Sequence, residues 1–327
     1  MKNSKKKKVA AIEIKNKLLQ VEEEMKRKVY RCLFFGCNKN AVRSHSQQKN
    51  ASLSAISNTK LQVYSLDSNH ARAFDTETQK MNVRFILKKI ASASTFPGFC
   101  VEHEAFFSIF EKNGIEVNNN KHACHLAYRT VSYELSRQRE MLDKHELMGI
   151  FTKREAYLNH SIHKELTPLM NDLLSIIRNN DFDNLKTIWK VIPKNLGVSC
   201  SSCISLYNGL PDHFYLNRGE DDDNYPTFTF DVLPSESKTV IVCTWLKKFD
   251  KYSDWLIESF SNEKEFERIF NRFVFFDSED ICISPDLWDK EPRIEETVIK
   301  VEHAINRSLI KSIEPPILIH THENNID

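Results

Sequence analysis

The spacing of apolar and polar positions along the chain predicts both helices and strands. Apolar residues recur at helical intervals over 9–29 and again over 121–180. β-Branched and aromatic residues dominate 227–232 and 239–245, and the polar segment between them is typical of a β-hairpin. The pattern therefore predicts an α+β fold in which a helical stretch precedes a sheet-containing C-terminal part.

Weaker signals predict further elements and a division of the chain. A turn or hairpin is expected over 30–40, because Gly36 interrupts a short apolar segment there. Other elements are expected as strands over 61–66, 198–207 and 273–283 and as helices over 101–112, 252–260 and 263–272. We expect three regions: a disordered basic tail over 1–8, a small N-terminal domain over 9–115, and a helical and then sheet-containing domain over 120–327.

Composition narrows the classes of function. The chain has 327 residues, which suits about two domains, and 41% of them are hydrophobic, which is sufficient for a packed core. Only 7 glycines are present, and neither of the glycine-rich phosphate-binding motifs, G-x-G-x-x-G and G-x-x-x-x-G-K, occurs in the chain. No apolar run predicts a transmembrane helix, and the basic N-terminus lacks the apolar stretch of a signal peptide. We therefore expect no membrane contact and a reducing, cytoplasmic location, where clustered cysteines indicate metal ligands rather than disulfides.

Charge is divided unevenly along the chain. Residues 1–110 carry 20 Lys and Arg against 9 Asp and Glu, a net charge of +11, whereas the remainder carries −10. The run Lys5–Lys8 supplies four of the positive charges, so +7 remains without it. An excess of this size favours nucleic acid as a partner of the basic third. The alternative is a basic surface that contacts only solvent, which would show the same excess of positive charge.

Four residues of the basic third have the spacing of a zinc site. Cys32 and Cys37 form a C-x4-C pair around Gly36, and Cys100 and His103 form a C-x2-H pair at the predicted start of a helix. A closed tetrahedral zinc site needs four such ligands, and zinc would stabilise a segment that is poor in apolar residues. The alternative is that these cysteines are separate core residues, because cysteine behaves as a small hydrophobe.

Between the two pairs lies the segment Arg43–Asn50, which contains a histidine at position 45. Together, these features resemble the HNH-type endonucleases of the treble-clef class. The resemblance implies that the two pairs bind a structural zinc ion and that His45 is the general base that activates water. It also implies that Glu104, next to the last zinc ligand, holds a second divalent cation such as Mg²⁺. The family usually has Asp or His immediately before its base, where this chain has Ser44.

A second C-x2-C pair, Cys200 and Cys203, has no matching pair downstream. It lies among apolar residues in a predicted strand, whereas a redox-active pair normally precedes a helix of a βαβ unit. We therefore interpret these two cysteines as core or loop thiols.

The sequence thus predicts a metal-dependent nuclease that cleaves phosphodiester bonds with a histidine general base. The C-terminal part is expected to sense, regulate or bind a protein partner, and a bacterial antiviral defence context is suggested by analogy alone. Three alternatives stay open. The C-terminal part could carry the principal function, with the zinc unit as a docking platform. The N-terminal third could be a non-catalytic zinc module that binds nucleic acid or protein, and His45 could itself be the fourth ligand, which would leave His103 free.

Overall fold

The structure, a computed structural model, consists of helices packed around a central antiparallel sheet. It describes residues 2–82, 84–111, 114–149, 153–209, 225–278, 280–297 and 318. The α-helices are α1 (Lys2–Arg27), α2 (Ser54–Ile56), α3 (His70–Ala73), α4 (Val101–Glu104), α5 (Ser108–Glu111), α6 (Asn120–Met148), α7 (Lys153–His160), α8 (Thr167–Asn179), α9 (Asp254–Ser261), α10 (Glu263–Phe276) and α11 (Pro285–Lys290). The predicted α+β class is confirmed.

The strands form one large sheet and two small ones. They are β1 (Arg43–His45), β2 (Gln62–Leu66), β3 (Phe74–Asp75), β4 (Lys80–Met81), β5 (Phe85–Lys89), β6 (Thr95–Pro97), β7 (Leu185–Ile192), β8 (Val198–Ser205), β9 (Thr227–Pro234), β10 (Thr239–Leu246) and β11 (Asp280–Ile283). The large sheet has seven strands in the order β5-β2-β11-β8-β9-β10-β7. Strands β1 and β6 pair separately, as do β3 and β4, and every pairing is antiparallel.

The two faces of the large sheet differ in polarity because neighbouring residues on a strand point to opposite sides. One face packs against α10, where Phe230 lies 5.2 Å from Phe273 between ring centroids. The other face carries Ser201 on β8, Asp231 on β9 and Asp280 on β11, which lie side by side in the strand register. All three are buried, so polar groups of the sheet must find partners in the segments that cover this face.

Helix α6 covers part of this polar face. Its residues 122–132 are all buried, and the Thr130 hydroxyl donates to the Asp231 carboxylate at 2.7 Å. The Arg129 guanidinium is also buried, pairs with Glu111 and lies 4.4 Å from the Phe107 ring centroid. Helix α6 therefore lies between the sheet and the residues that precede it in the chain.

The structure agrees with many of the predicted elements and differs at others. The β9–β10 hairpin and the strand β2 lie where the pattern predicts them. The strand predicted over 273–283 is wrong in its first part, because residues up to Phe276 continue the amphipathic helix α10 and only β11 is extended. The helix expected over 101–112 is divided into α4, a 3₁₀ turn over Ala105–Phe107 and α5. Helix α1 begins at Lys2, inside the range for which the sequence predicts disorder.

One sheet joins strands from both predicted domains. Strands β2 and β5 come from the N-terminal range, and β2 pairs with β11, with Cys282 opposite Ser65. The division predicted between 115 and 120 therefore does not coincide with a boundary of the sheet. Among the described residues, no helix is both long and apolar enough to cross a membrane.

Candidate metal centre

The first half of the candidate metal centre is a tight turn that carries Cys32 and Cys37. The backbone N–H of Cys32 donates to the Lys39 carbonyl at 2.9 Å, and that of Cys37 donates to the Phe34 carbonyl at 3.0 Å. Gly36 has a φ of +83°, in the left-handed region that glycine adopts without the steric cost of a Cβ atom. The turn brings the two thiols within 4.8 Å of each other.

The second half lies at the start of α4. Cys100 is the residue before this helix and His103 lies within it, so the two are separated by about one helical turn and share a face. The backbone N–H of Glu104 donates to the Cys100 carbonyl at 2.9 Å and closes that turn. The Leu33 N–H donates to the Gly98 carbonyl at 2.8 Å, which joins the cysteine turn to the segment before α4.

The four predicted ligands meet at one point. Their ligand atoms lie within 4.8 Å of one another, with the His103 Nδ1 atom 3.4 Å from the Cys32 sulfur and 3.2 Å from the Cys100 sulfur. The sulfurs of Cys37 and Cys100 are 3.9 Å apart. Tetrahedral zinc with ordinary bond lengths needs S···N separations of about 3.5 Å and S···S separations of about 3.8 Å. The residues therefore fit a four-coordinate metal ion, and this cluster is a possible metal-binding site.

Aromatic and charged neighbours enclose the cluster. The ring of Phe34 stacks on His103, with centroids 3.9 Å apart and planes inclined by 7°. The Arg178 guanidinium lies 5.1 Å from the Phe34 ring centroid and donates to the backbone carbonyl of solvent-exposed Phe35 at 3.5 Å. Burial raises the pKa of the Cys32 thiol to about 11, whereas a backbone N–H from Lys39 lowers the pKa of Cys37. A bound cation would favour the thiolate at both positions.

The candidate general base, His45, lies at the end of β1 and outside this cluster. His103, and not His45, lies with the three cysteines, and this geometry favours His103 over His45 as the fourth ligand. The Nε2 atom of His45 is 3.0 Å from the Ile90 carbonyl, which can only accept a hydrogen bond. The Nε2 atom must therefore donate, so in the neutral form of the ring the hydrogen is on Nε2 and the lone pair is on Nδ1. Burial lowers the pKa of His45, and the positive charges of Lys49 and Arg129 act in the same direction.

Glu104, the predicted holder of a second cation, is fixed by the residue before His45. The Ser44 hydroxyl donates to its carboxylate at 2.6 Å, and the same hydroxyl oxygen accepts from the Phe99 N–H at 3.0 Å. Burial raises the pKa of Glu104, and the Ser44 hydrogen bond opposes that shift. Since adjacent strand residues point to opposite faces, Ser44 faces Glu104 whereas His45 faces Ile90.

In the part of the chain that the structure describes, the three cysteines and His103 are the one group of three or more possible ligands that converge. His45 and Glu104 belong to no such group, and the second cation stays a prediction. On β8, Cys200 is buried and Cys203 is half-buried, and loss of contact with water raises the pKa of both thiols. The sequence reasoning missed Asp280, whose carboxylate accepts from the hydroxyls of Ser46 and Ser94 beside the antiparallel pair of β1 and β6 (the β1–β6 hairpin, whose strands are joined by residues 46–94). No local motif marks it, since its partners are distant in sequence.

Comparison of the chain with protein-family models, with curated proteins and with solved structures finds no match. The assignment of roles therefore rests on the geometry of the described residues.

Proposed function

We propose that the chain is a metal-dependent nuclease of the HNH type, in which a structural zinc ion stabilises the unit that carries the general base. The zinc ion would be held by the three clustered cysteines and His103. The order of elements supports this proposal: a cysteine turn, the antiparallel pair β1 and β6, and then α4 with the last two ligands follow the arrangement expected of a treble clef. Zinc would link the turn to the helix and so fix the hairpin between them.

The observation that carries the proposal is the hydrogen bond between His45 and the Ile90 carbonyl. It engages the Nε2 atom, so the basic atom of the neutral ring is Nδ1, and it holds the imidazole in one orientation. The lowered pKa keeps the ring neutral at pH 7, which is the form that accepts a proton from water.

Glu104 fits the role of a ligand for a divalent cation that is completed by substrate. Magnesium is commonly bound by one or two carboxylates together with substrate phosphate oxygens. The Ser44 hydroxyl would orient the single Glu104 carboxylate at 2.6 Å. The cation would supply stabilisation of the negative charge that builds on the scissile phosphate. The basic excess of residues 1–110 supports a nucleic acid as the substrate.

A nicking assay on supercoiled plasmid with Mg²⁺, Mn²⁺ or Ni²⁺ tests the proposal. We expect His45→Gln to keep zinc and the fold while cleavage falls by about 10²–10⁴-fold, the usual cost of losing a general base. Glu104→Gln should lose cleavage and respond to a higher concentration of the divalent cation. His163→Gln is the matched control, because His163 is exposed and lies outside the hairpin. Equal cleavage by the wild type and His45→Gln would refute the assignment of the base.

The second candidate is a non-catalytic zinc module that binds nucleic acid. Two observations favour it: Ser44 and His45 face opposite sides of β1, and Glu104 is a single carboxylate already engaged by Ser44. This candidate predicts salt-dependent binding without cleavage on DNA or RNA, single- or double-stranded, with any of the three cations.

A further inference from the structure

We propose that Asp280, on β11 of the large sheet, is a positioning residue that holds the β1–β6 hairpin at His45. The inference deepens the proposed function and rests on it, because it concerns the residue assigned as the general base. It assigns the C-terminal part of the chain a direct role in the site of the N-terminal third.

The Asp280 carboxylate accepts hydrogen bonds from three different segments on one oxygen atom. Its Oδ2 atom accepts from the hydroxyls of Ser46, of Ser94 at 2.9 Å and of Ser201 at 3.2 Å. The Asp280 backbone carbonyl accepts in addition from the side-chain amide of Gln47 at 2.8 Å. Ser46, Ser201 and Asp280 are each no more than 5% exposed, so water does not compete freely for these bonds.

Two of these donors flank the candidate base directly. Ser46 follows His45 at the end of β1, and Ser94 precedes Thr95, which lies opposite His45 in the pairing of β1 with β6. The Ser46 N–H also donates to the Ser94 carbonyl at 2.9 Å, which continues the ladder by one residue. Asp280 therefore binds both strands of the hairpin, through Ser46 and Ser94, at the end where His45 lies.

The geometry is that of an anchor rather than of a general packing contact. Three hydroxyls converge on one oxygen atom of this buried side chain, and the bonds from Ser46 and Ser94 join residues 234 and 186 positions apart in the chain. The other end of the hairpin is fixed by the proposed zinc ion next to Gly98. Asp280 and the proposed zinc ion would together fix both ends of the hairpin and so hold His45 within hydrogen-bonding distance of the Ile90 carbonyl.

Asp280 is a positioning residue because its hydrogen bonds go to Ser46, Gln47, Ser94 and Ser201 and not to His45, Glu104 or the cysteine cluster. Its effect on cleavage would pass through the hairpin. The charged groups near His45 are Lys49, Arg129 and Glu111, and none of them is removed by a change at Asp280 or its serines. Ser94→Ala removes no titratable group, so a shift in the His45 titration in that variant would report a changed position of the ring.

Three variants of the full-length, zinc-loaded chain test the inference: Ser94→Ala, Ser201→Ala and Asp280→Asn. Ser94→Ala and Ser201→Ala each remove one hydroxyl from the same carboxylate oxygen, but only Ser94 belongs to the hairpin. The pair compares two donors to the same atom, of which only Ser94 also contacts the Ser46 hydroxyl next to His45. The readouts are the His45 imidazole titration by NMR with ¹³C-labelled histidine, zinc content and plasmid cleavage. His45→Gln assigns the resonance.

We expect Ser94→Ala and Asp280→Asn to move the His45 pKa upward, toward the ordinary value of about 6.5, because a released ring gains water. Cleavage should fall by about tenfold to a hundredfold, as small displacements of catalytic groups commonly do. Ser201→Ala should leave the His45 pKa unchanged and cleavage within about twofold. If Asp280→Asn does not fold, the two serine variants decide alone.

A His45 titration that is unchanged in Ser94→Ala, or shifted equally in Ser201→Ala, overturns the positioning role. The NMR arm does not depend on activity. Absence of cleavage by the wild type would therefore count against the proposed nuclease, while the titration of His45 would still decide whether Asp280 holds the hairpin.

Discussion

Replacement of Cys32 by alanine removes one ligand of the proposed zinc ion and should destabilise the fold strongly. The ion would join distant segments, since 71 residues separate Cys32 from His103 and 63 separate Cys37 from Cys100. In the chain-entropy treatment of cross-links, closure of a loop of this size stabilises the folded state by about 4 kcal/mol at 25 °C. Loss of a buried sulfur from the core adds about 1 kcal/mol. We therefore expect the free energy of unfolding to fall by about 5 kcal/mol.

Cys124→Ala is the matched control for this change. Cys124 is fully buried on α6 and its thiol contacts the Leu173 carbonyl at 3.7 Å, but it is not part of the metal cluster. Its replacement should cost about 1–2 kcal/mol through a small cavity and leave the zinc content unchanged. The difference between the two variants isolates the contribution of the metal from that of a buried thiol.

The assay combines zinc content, measured by mass spectrometry of the metal, with urea unfolding in the presence and absence of a chelator. The chelator should lower the unfolding midpoint of the wild type and of Cys124→Ala and have no effect on Cys32→Ala. Full zinc content in Cys32→Ala, or a wild-type midpoint that the chelator does not change, would refute the assignment of a structural zinc ion.

Three further predictions concern charge. Glu111→Gln should lower the free energy of unfolding by about 3–5 kcal/mol, because it leaves the buried Arg129 guanidinium, which is 1% exposed, without its charged partner. Arg129→Met should cost less, because the Glu111 carboxylate that then lacks a partner is 39% exposed to water. Chemical denaturation of the two variants measures the difference. Burial raises the pKa of Asp231 to about 7, so the folded protein binds a proton there that the unfolded chain has lost. The free energy of unfolding of the wild type should therefore fall as pH rises from about 4 to 7. Asp231→Asn should remove this dependence in urea midpoints measured over a series of pH values. A slope that persists in the variant would contradict that origin. Affinity for duplex DNA should decrease with salt by about −0.9 in the log–log slope for each phosphate neutralised, and affinity that is flat with salt would exclude a basic nucleic-acid interface.

Elements that depend on local periodicity were predictable. The β9–β10 hairpin has β-branched and aromatic strands joined by a short polar link, and these features lie within about 20 residues of one another. Helix α10 has apolar residues at helical spacing, although the β-prone residues at its end led to an incorrect strand assignment. At the end of α10, the packing of Phe273 against Phe230 of the sheet outweighs the β propensity of these residues.

The amino-acid sequence by itself determined the ligand types and spacing of the candidate metal centre. The C-x4-C pair lies on a tight turn and the C-x2-H pair on the first turn of a helix. In each pair the distance between the two ligands depends only on neighbouring residues. The tertiary structure alone decided which histidine completes the cluster, where β2 and β5 join the large sheet, and that Asp280 reaches Ser46 and Ser94. These contacts join residues up to 234 positions apart. Their formation depends on the packing of whole elements, and no periodicity within one segment encodes a partner in another.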